Sequence, residues 1–82
     1  MVKFVFGKKF QDIFSKLRDN ILKKRVINQL KKIENNPEVG KPMRHTRKGT
    51  RELYIKPFGL SYRYIVEKDT AEILDLYHKK KQ

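Results

Sequence analysis

The sequence predicts a small α+β domain of order β-α-α-β-β-β, a helical hairpin packed on one face of a small antiparallel sheet. Three observations carry that expectation. Apolar residues recur at helical spacing between Phe10 and Ile33 and at alternating spacing on either side of that stretch. Asn35-Asn36-Pro37 and the Gly- and Pro-containing segment after it separate the helical region from the strands that follow. The length, 82 residues, makes one domain spanning residues 1–82. A chain this short buries only about two-thirds of the surface its unfolded form exposes, so one sheet covered by one helical layer is the core it can build.

Each element has its own signature. Val2, Phe4 and Phe6 alternate along a first strand that Gly7 ends. Phe10, Ile13, Phe14 and Leu17 then fall at i, i+3, i+4 and i+7, one apolar stripe of an amphipathic helix, with Lys8, Lys9, Asp12, Lys16 and Arg18 on the other faces. Asp19-Asn20 is a turn or an N-cap, and the apolar register shifts there, which favours a hairpin over one long helix. The second helix carries Ile21, Leu22, Val26, Leu30 and Ile33 and runs to about Glu34, where Pro37 stops it. Residues 37–50 read as a loop with a basic run, Arg44-His45-Thr46-Arg47-Lys48. Strands are expected over about 51–57, 60–67 and 71–77, with turns at Pro57-Phe58-Gly59 and Lys68-Asp69-Thr70. With helices on one side only, the other face of the sheet stays open.

Composition narrows the function. The chain has no Cys, which removes disulfides and thiolate chemistry and fits a reducing cytoplasm. His45 and His78 are far apart in sequence, so no metal site is expected, and no cofactor motif is present. No apolar run approaches the roughly 20 residues needed to span a bilayer. Nor does the N-terminus carry a long apolar segment followed by a small-residue cleavage site, so no membrane association and a cytoplasmic location are expected. The net charge is +12, spread evenly: residues 1–40 hold 10 basic and 4 acidic side chains, and residues 41–82 hold 11 and 5. That excess favours an acidic partner, with nucleic acid foremost.

The last third of the chain concentrates the chemistry. Arg63 stands alone inside a strand, and the chain ends His78-Lys79-Lys80-Lys81-Gln82. A guanidinium stays charged and can hold two phosphate oxygens at once, which makes Arg63 the candidate phosphate clamp; paired instead with Glu52 or Glu72 it would be an ordinary strand arginine. His78 is the natural proton-transfer group, with an unperturbed pKa near 6.5. It shares strand parity with Leu74 and Leu76, so the strand must end or twist before it for the ring to leave the core side. Lys56 can bind phosphate or act as a base, and Lys79, Lys80 and Lys81 read as a flexible phosphate-binding tail. The basic loop offers Arg44, Arg47 and Lys48, with Arg51 at its end, to a nucleic-acid backbone. Tyr54, Tyr62, Tyr64 and Tyr77 all lie in expected strands, where packing is the default. Tyr54 is the candidate base-stacker, because Leu53 and Ile55 claim the core side of its strand.

The short first strand, the hairpin ending in Asn36-Pro37, Gly40-Lys41-Pro42-Met43, Arg51-Glu52-Leu53-Tyr54, Tyr62-Arg63-Tyr64 and Ile73-Leu74-Asp75-Leu76-Tyr77-His78-Lys79 together resemble the RelE/ParE toxin superfamily over nearly the whole chain. The resemblance implies a toxin held inactive by a RelB-like antitoxin. Its RelE branch implies cleavage of mRNA in the ribosomal A site, beside 16S rRNA; its ParE branch implies inhibition of DNA gyrase instead. Carried over by position, Arg63 matches the strand arginine that binds the scissile phosphate, Lys56 a lysine used by RelE, and His78 and Lys79 the C-terminal catalytic or RNA-contacting positions. Two positions depart: Met43 stands where one subgroup has a general-base Glu, and Lys79 is nearest to where several members have a Tyr. The implied chemistry is a metal-free attack of a 2′-OH on the adjacent phosphate. The alternatives are a gyrase inhibitor or a catalytically weakened RNA-binding member.

Overall fold

A computed structural model describes residues 2–81, residue 81 by its backbone alone. Strand β1 (Lys3–Phe6) leads into helices α1 (Lys8–Lys16) and α2 (Asn20–Asn35). Strands β2 (Lys41–Pro42), β3 (Arg51–Ile55), β4 (Phe58–Ile65) and β5 (Thr70–His78) follow, with 3₁₀ turns at His45–Arg47, Val66–Lys68 and Lys79–Lys81. The five strands form one sheet in the order β1-β5-β4-β3-β2.

The helical hairpin forms where the apolar register breaks. Asp19 caps α2, its carboxylate accepting from the backbone N–H of Ile21 at 2.9 Å and of Leu22 at 3.2 Å. The capped helix then turns Leu22, Val26 and Ile33 inward, while α1 contributes Phe10. They close on Ile55, Leu60, Tyr62, Ala71, Ile73 and Leu76, so both helices cover the same face of the sheet. Full burial of a Val, Leu, Ile or Phe among them is worth about 1.5–3 kcal/mol.

The sheet differs from the expected one in three ways. It is mixed, not wholly antiparallel, because β1 pairs β5 in parallel. The connection between them is long, as a parallel pair requires: it runs through the helical hairpin and then β2, β3 and β4. A two-residue strand, β2, pairs Lys41 with Glu52 and Pro42 with Arg51 inside what reads as loop. The β3–β4 turn is tighter than expected: Phe58 and Gly59 already belong to β4, paired with Ile55 and Tyr54.

The register of β5 matters most for function. Ser61 pairs with Asp75 and Tyr62 with Ile73, leaving Leu74 without a partner on β4. One extra residue resets the alternation. Ile73 and Leu76 both reach the core, and Leu74 does not share their position. Beyond the bulge, Tyr77 turns to the open face and His78 follows Leu76 toward the helices.

Tyr62 ties the strand core to the connection after α2. Its buried hydroxyl donates to the Pro37 carbonyl at 2.7 Å and accepts from the Gly40 N–H at 2.9 Å. Gly40 must lack a side chain here, since a Cβ would stand 2.7 Å from the Tyr62 ring. Arg51 completes this anchor, donating to the carbonyls of Glu38 at 3.0 Å and Gly40 at 2.8 Å.

Candidate functional site

The helix-free face is built in cross-strand rows. Tyr54 of β3, Gly59 of β4 and Tyr77 of β5 form one row; Glu52 and Ser61, opposite one another, form the next. In these two rows the middle strand presents only small residues. A Cβ at Gly59 would lie 2.9 Å from the Tyr77 ring and 3.1 Å from Lys79 Cδ. The missing side chain lets Tyr77 and Lys79 reach over β4 to Glu52 on β3.

Four side chains from distant parts of the chain meet there. The Tyr77 hydroxyl donates to Glu52 Oε2, and Lys79 Nζ stands 2.5 Å from Glu52 Oε1. Arg47 Nη1 lies 3.9 Å from Glu52 Oε2, with its guanidinium carbon 4.5 Å from the Tyr77 ring centroid. Lys79 Nζ is also 5.8 Å from the Tyr54 ring centroid. Both are cation–π geometries, which hold a cation in place without neutralising it. Beside this cluster a cleft of about 670 Å³ opens, lined by Lys41, Met43, Arg44, His45, Glu52 and Lys79 among others. His45 begins the 3₁₀ turn with φ of +60°, a left-handed conformation uncommon for a non-glycine residue. Counting Lys41, Arg44, Arg47 and Lys79 against Glu52, the cleft and its cluster carry an excess of three positive charges.

The expected site residues divide between this cleft and the rest of the surface. Arg44, Arg47, Tyr54 and Lys79 come together around it. Lys79 is no flexible tail: its N–H donates to the Pro57 carbonyl at 3.0 Å, and Lys79–Lys81 form a 3₁₀ turn. Lys80 is exposed, its N–H meeting His78 Nδ1 at 3.2 Å. The side chain of Lys81 lies outside the described residues. Arg63 shares the open face, two residues beyond Ser61, but its Nε and Nη2 both donate to Glu72 Oε1, the cross-strand pairing that was its ordinary alternative.

Other expectations need correction. His78 does not join Arg63 at one phosphate. Its ring packs edge-on against Phe58 at 5.4 Å on the helix side. Its register partner is Phe58, and Arg63 lies five residues further along β4, roughly 16 Å away. The physical reason is the Leu74 bulge, which puts Leu76 on the core side with Ile73, and His78, two residues on, follows Leu76. Arg51 is committed to Glu38 and Gly40 rather than to the open face. Lys48 lines a separate depression with Met43, Arg51 and Tyr64. Lys56 sits in the β3–β4 turn, where its carbonyl accepts from Arg25 at 2.9 Å.

Glu52, Tyr77 and Lys41 are the members that sequence reasoning missed. The signal for the first two was the pair of small residues, Gly59 and Ser61, at alternate positions of a central strand, which opens a path between its neighbours.

A helical hairpin on one face of a five-stranded mixed sheet is the fold this chain shares with solved RelE toxins. The chain belongs to the ParE toxin family of type II toxin–antitoxin systems (parDE), whose family model matches residues 4–82. A chain of the toxin–antitoxin complex RelBE2 from Mycobacterium tuberculosis is 28% identical, superposes with a TM-score of 0.80, and aligns over 94% of this chain and 96% of its own. The isolated RelE toxin of E. coli shares the fold at 12% identity and a TM-score of 0.80, over 95% of this chain and 84% of that one. A chain of the archaeal RelE–RelB complex from Pyrococcus horikoshii does so at 13% and 0.78, over 99% and 98%. No curated protein sequence matches. The protein is thus a toxin of a type II toxin–antitoxin pair, with the RelE/ParE fold. Among the described residues no helix is long and apolar enough to cross a membrane.

Proposed function

We propose that this toxin cuts mRNA on the ribosome, at the cleft on the helix-free face. The observation that carries the reading is the convergence of Arg44, Arg47 and Lys79 on one cleft whose floor holds Glu52 and Tyr77. In metal-free cleavage the 2′-oxygen loses its proton and bonds to phosphorus. The P–O5′ bond breaks and the 5′-oxygen takes up a proton, leaving a 2′,3′-cyclic phosphate and a 5′-hydroxyl. Negative charge gathers on the phosphate oxygens in the transition state. Fixed cations facing that charge are the largest source of stabilisation such a site can supply. Lys79, hydrogen-bonded to Glu52, and Arg47, stacked on Tyr77, are the cations nearest this floor, and Arg63 is a further one on the same face if a phosphate displaces Glu72. With His78 on the other side of the sheet, the imidazole on the cleft side is His45, which makes it the candidate for proton transfer. Tyr54, 59% exposed, offers a ring for base stacking.

The partner in this reading is an antitoxin segment that is both acidic and apolar. Phe4, Phe6, Phe10 and Phe14 stack successively at 5.6–5.8 Å. The last three line a groove of about 470 Å³ with Ile27 and Leu30. Lys23, Lys24 and Lys31 stand one turn either side of Ile27 on α2. An amphipathic acidic segment matches both the groove and its rim.

A second reading, gyrase inhibition, is favoured by the ParE family match. A reconstituted translation reaction beside a supercoiling assay separates the two. The nuclease reading expects mRNA cut within codons and supercoiling unaffected. Arrested supercoiling with intact mRNA would replace it with the inhibitor.

A further inference from the structure

We propose that Glu52 is a positioning residue: its carboxylate holds Lys79 and Arg47 side by side above the Tyr77 hydroxyl, so that a phosphate meets two cations already in place. The proposal deepens the nuclease reading and rests on it for its effect on cleavage. It is carried by depth and by donor count. The Glu52 side chain is only 10% exposed, whereas those of Lys79 and Arg47 are 38% and 41% exposed. The carboxylate therefore lies beneath and the cations face solvent. Its two oxygens are divided, Oε1 to Lys79 and Oε2 to Tyr77 with Arg47 close by. A lysine has three donors and an arginine five. Meeting one carboxylate leaves each cation free donors for a phosphate, so Glu52 orients the pair without occupying it.

Two facts set this apart from an incidental surface ion pair. The four groups come from the 3₁₀ turn, β3, β5 and the turn after β5, so the carboxylate links, across β4, strands that do not pair with each other directly. And Gly59 and Ser61 leave the room over β4 that the contact needs. An isolated exposed pair would contribute little. Here the carboxylate is shielded and its hydrogen-bond partners restrict its rotation.

The sign of the effect on binding differs from the sign on cleavage. Arg47, Lys79 and Glu52 together carry one net positive charge; without the carboxylate charge they carry two. In Glu52→Gln the side chain keeps its shape and an oxygen for Tyr77 but no longer fixes the cations. A short single-stranded RNA should then bind as tightly or up to about fivefold more tightly, the size of one unit-charge contact in water. Cleavage in the translation reaction should fall by about 10²-fold, the effect of misplacing a transition-state group by about 1 Å. Glu52→Asp, which keeps the charge on a shorter arm, should recover part of the loss.

The test measures RNA affinity, single-turnover cleavage and thermal midpoint for the wild type and both variants. It adds the ¹⁵N resonances of the lysine ammonium groups. The wild type should show an ordered Lys79 ammonium, in contrast with Lys80, and Glu52→Gln should lose it. Cleavage equal to wild type in Glu52→Gln overturns the proposal, as does a parallel fall in affinity, cleavage and thermal midpoint, which marks a structural role only. A Lys79 ammonium as mobile as that of Lys80 overturns it whether or not the protein cuts RNA. Absence of cleavage by the wild type defeats the nuclease reading instead and leaves the ammonium measurement to decide the role of Glu52.

Discussion

Tyr62 and Gly59 show how single residues on the same strand serve opposite faces. Tyr62 is fully buried, and its hydroxyl satisfies the Pro37 carbonyl and the Gly40 N–H. Tyr62→Phe should lower stability by about 1–3 kcal/mol in urea unfolding, because it strands a buried N–H. Burial also holds the Tyr62 pKa above its ordinary value near 10, with the Gly40 hydrogen bond only partly opposing it. The sign follows from which state gives up its proton first. Below pH 10 both states keep the proton and stability is full. Above it the unfolded chain ionises first, so stability is lost as pH rises through the folded value. Unfolding curves at pH 8 and pH 11 should show a smaller alkaline loss in Tyr62→Phe than in the wild type. On the open face, Gly59→Ala should push Tyr77 and Lys79 away from Glu52. We expect growth arrest to weaken in cells while stability falls by no more than about 1–3 kcal/mol in urea. Tyr54 was legible as the exposed tyrosine because Leu53 and Ile55 flank it. Glu52 was not, because a lone strand glutamate reads as a solvated residue until its cross-strand partners are known.

Elements were more legible than their pairing. Both helices follow from the stripe Phe10, Ile13, Phe14 and Leu17 and its interruption at Asp19-Asn20. Asp19→Ala should cost about 0.5–2 kcal/mol, read as a lower urea midpoint with an unchanged slope. The strands were legible as alternating runs, but the parallel contact of β1 with β5 is non-local and leaves no mark in either segment alone. The Leu74 bulge was equally silent. Ile73, Leu74 and Leu76 are all apolar, so the run accommodates either register, and the choice is made by packing against Leu60 and Tyr62. That choice decides the site: it sends Tyr77 to the open face and His78 to the helices, the reverse of what proton transfer by His78 needs.

At the scale of the whole molecule, the two faces of the sheet have different chemistry. The helix side buries the core and leaves an apolar groove rimmed by lysines. The other side carries tyrosines, one shielded carboxylate and a surplus of cations. The net charge of +12 announced an acidic partner but not where it binds, since basic residues are spread evenly along the sequence. Folding concentrates Arg44, Arg47 and Lys79 by closing residues 41–48 over β3 and turning the chain back after β5. In the proposed reading the helix-free face, not the His78 side, is the working surface. Growth arrest on expression, with folding checked by circular dichroism, tests it most directly in the double variant Arg47→Ala, Lys79→Ala and in His78→Ala. The double variant should be harmless, and His78→Ala should still arrest growth. A harmless His78→Ala beside a fully toxic double variant would contradict it.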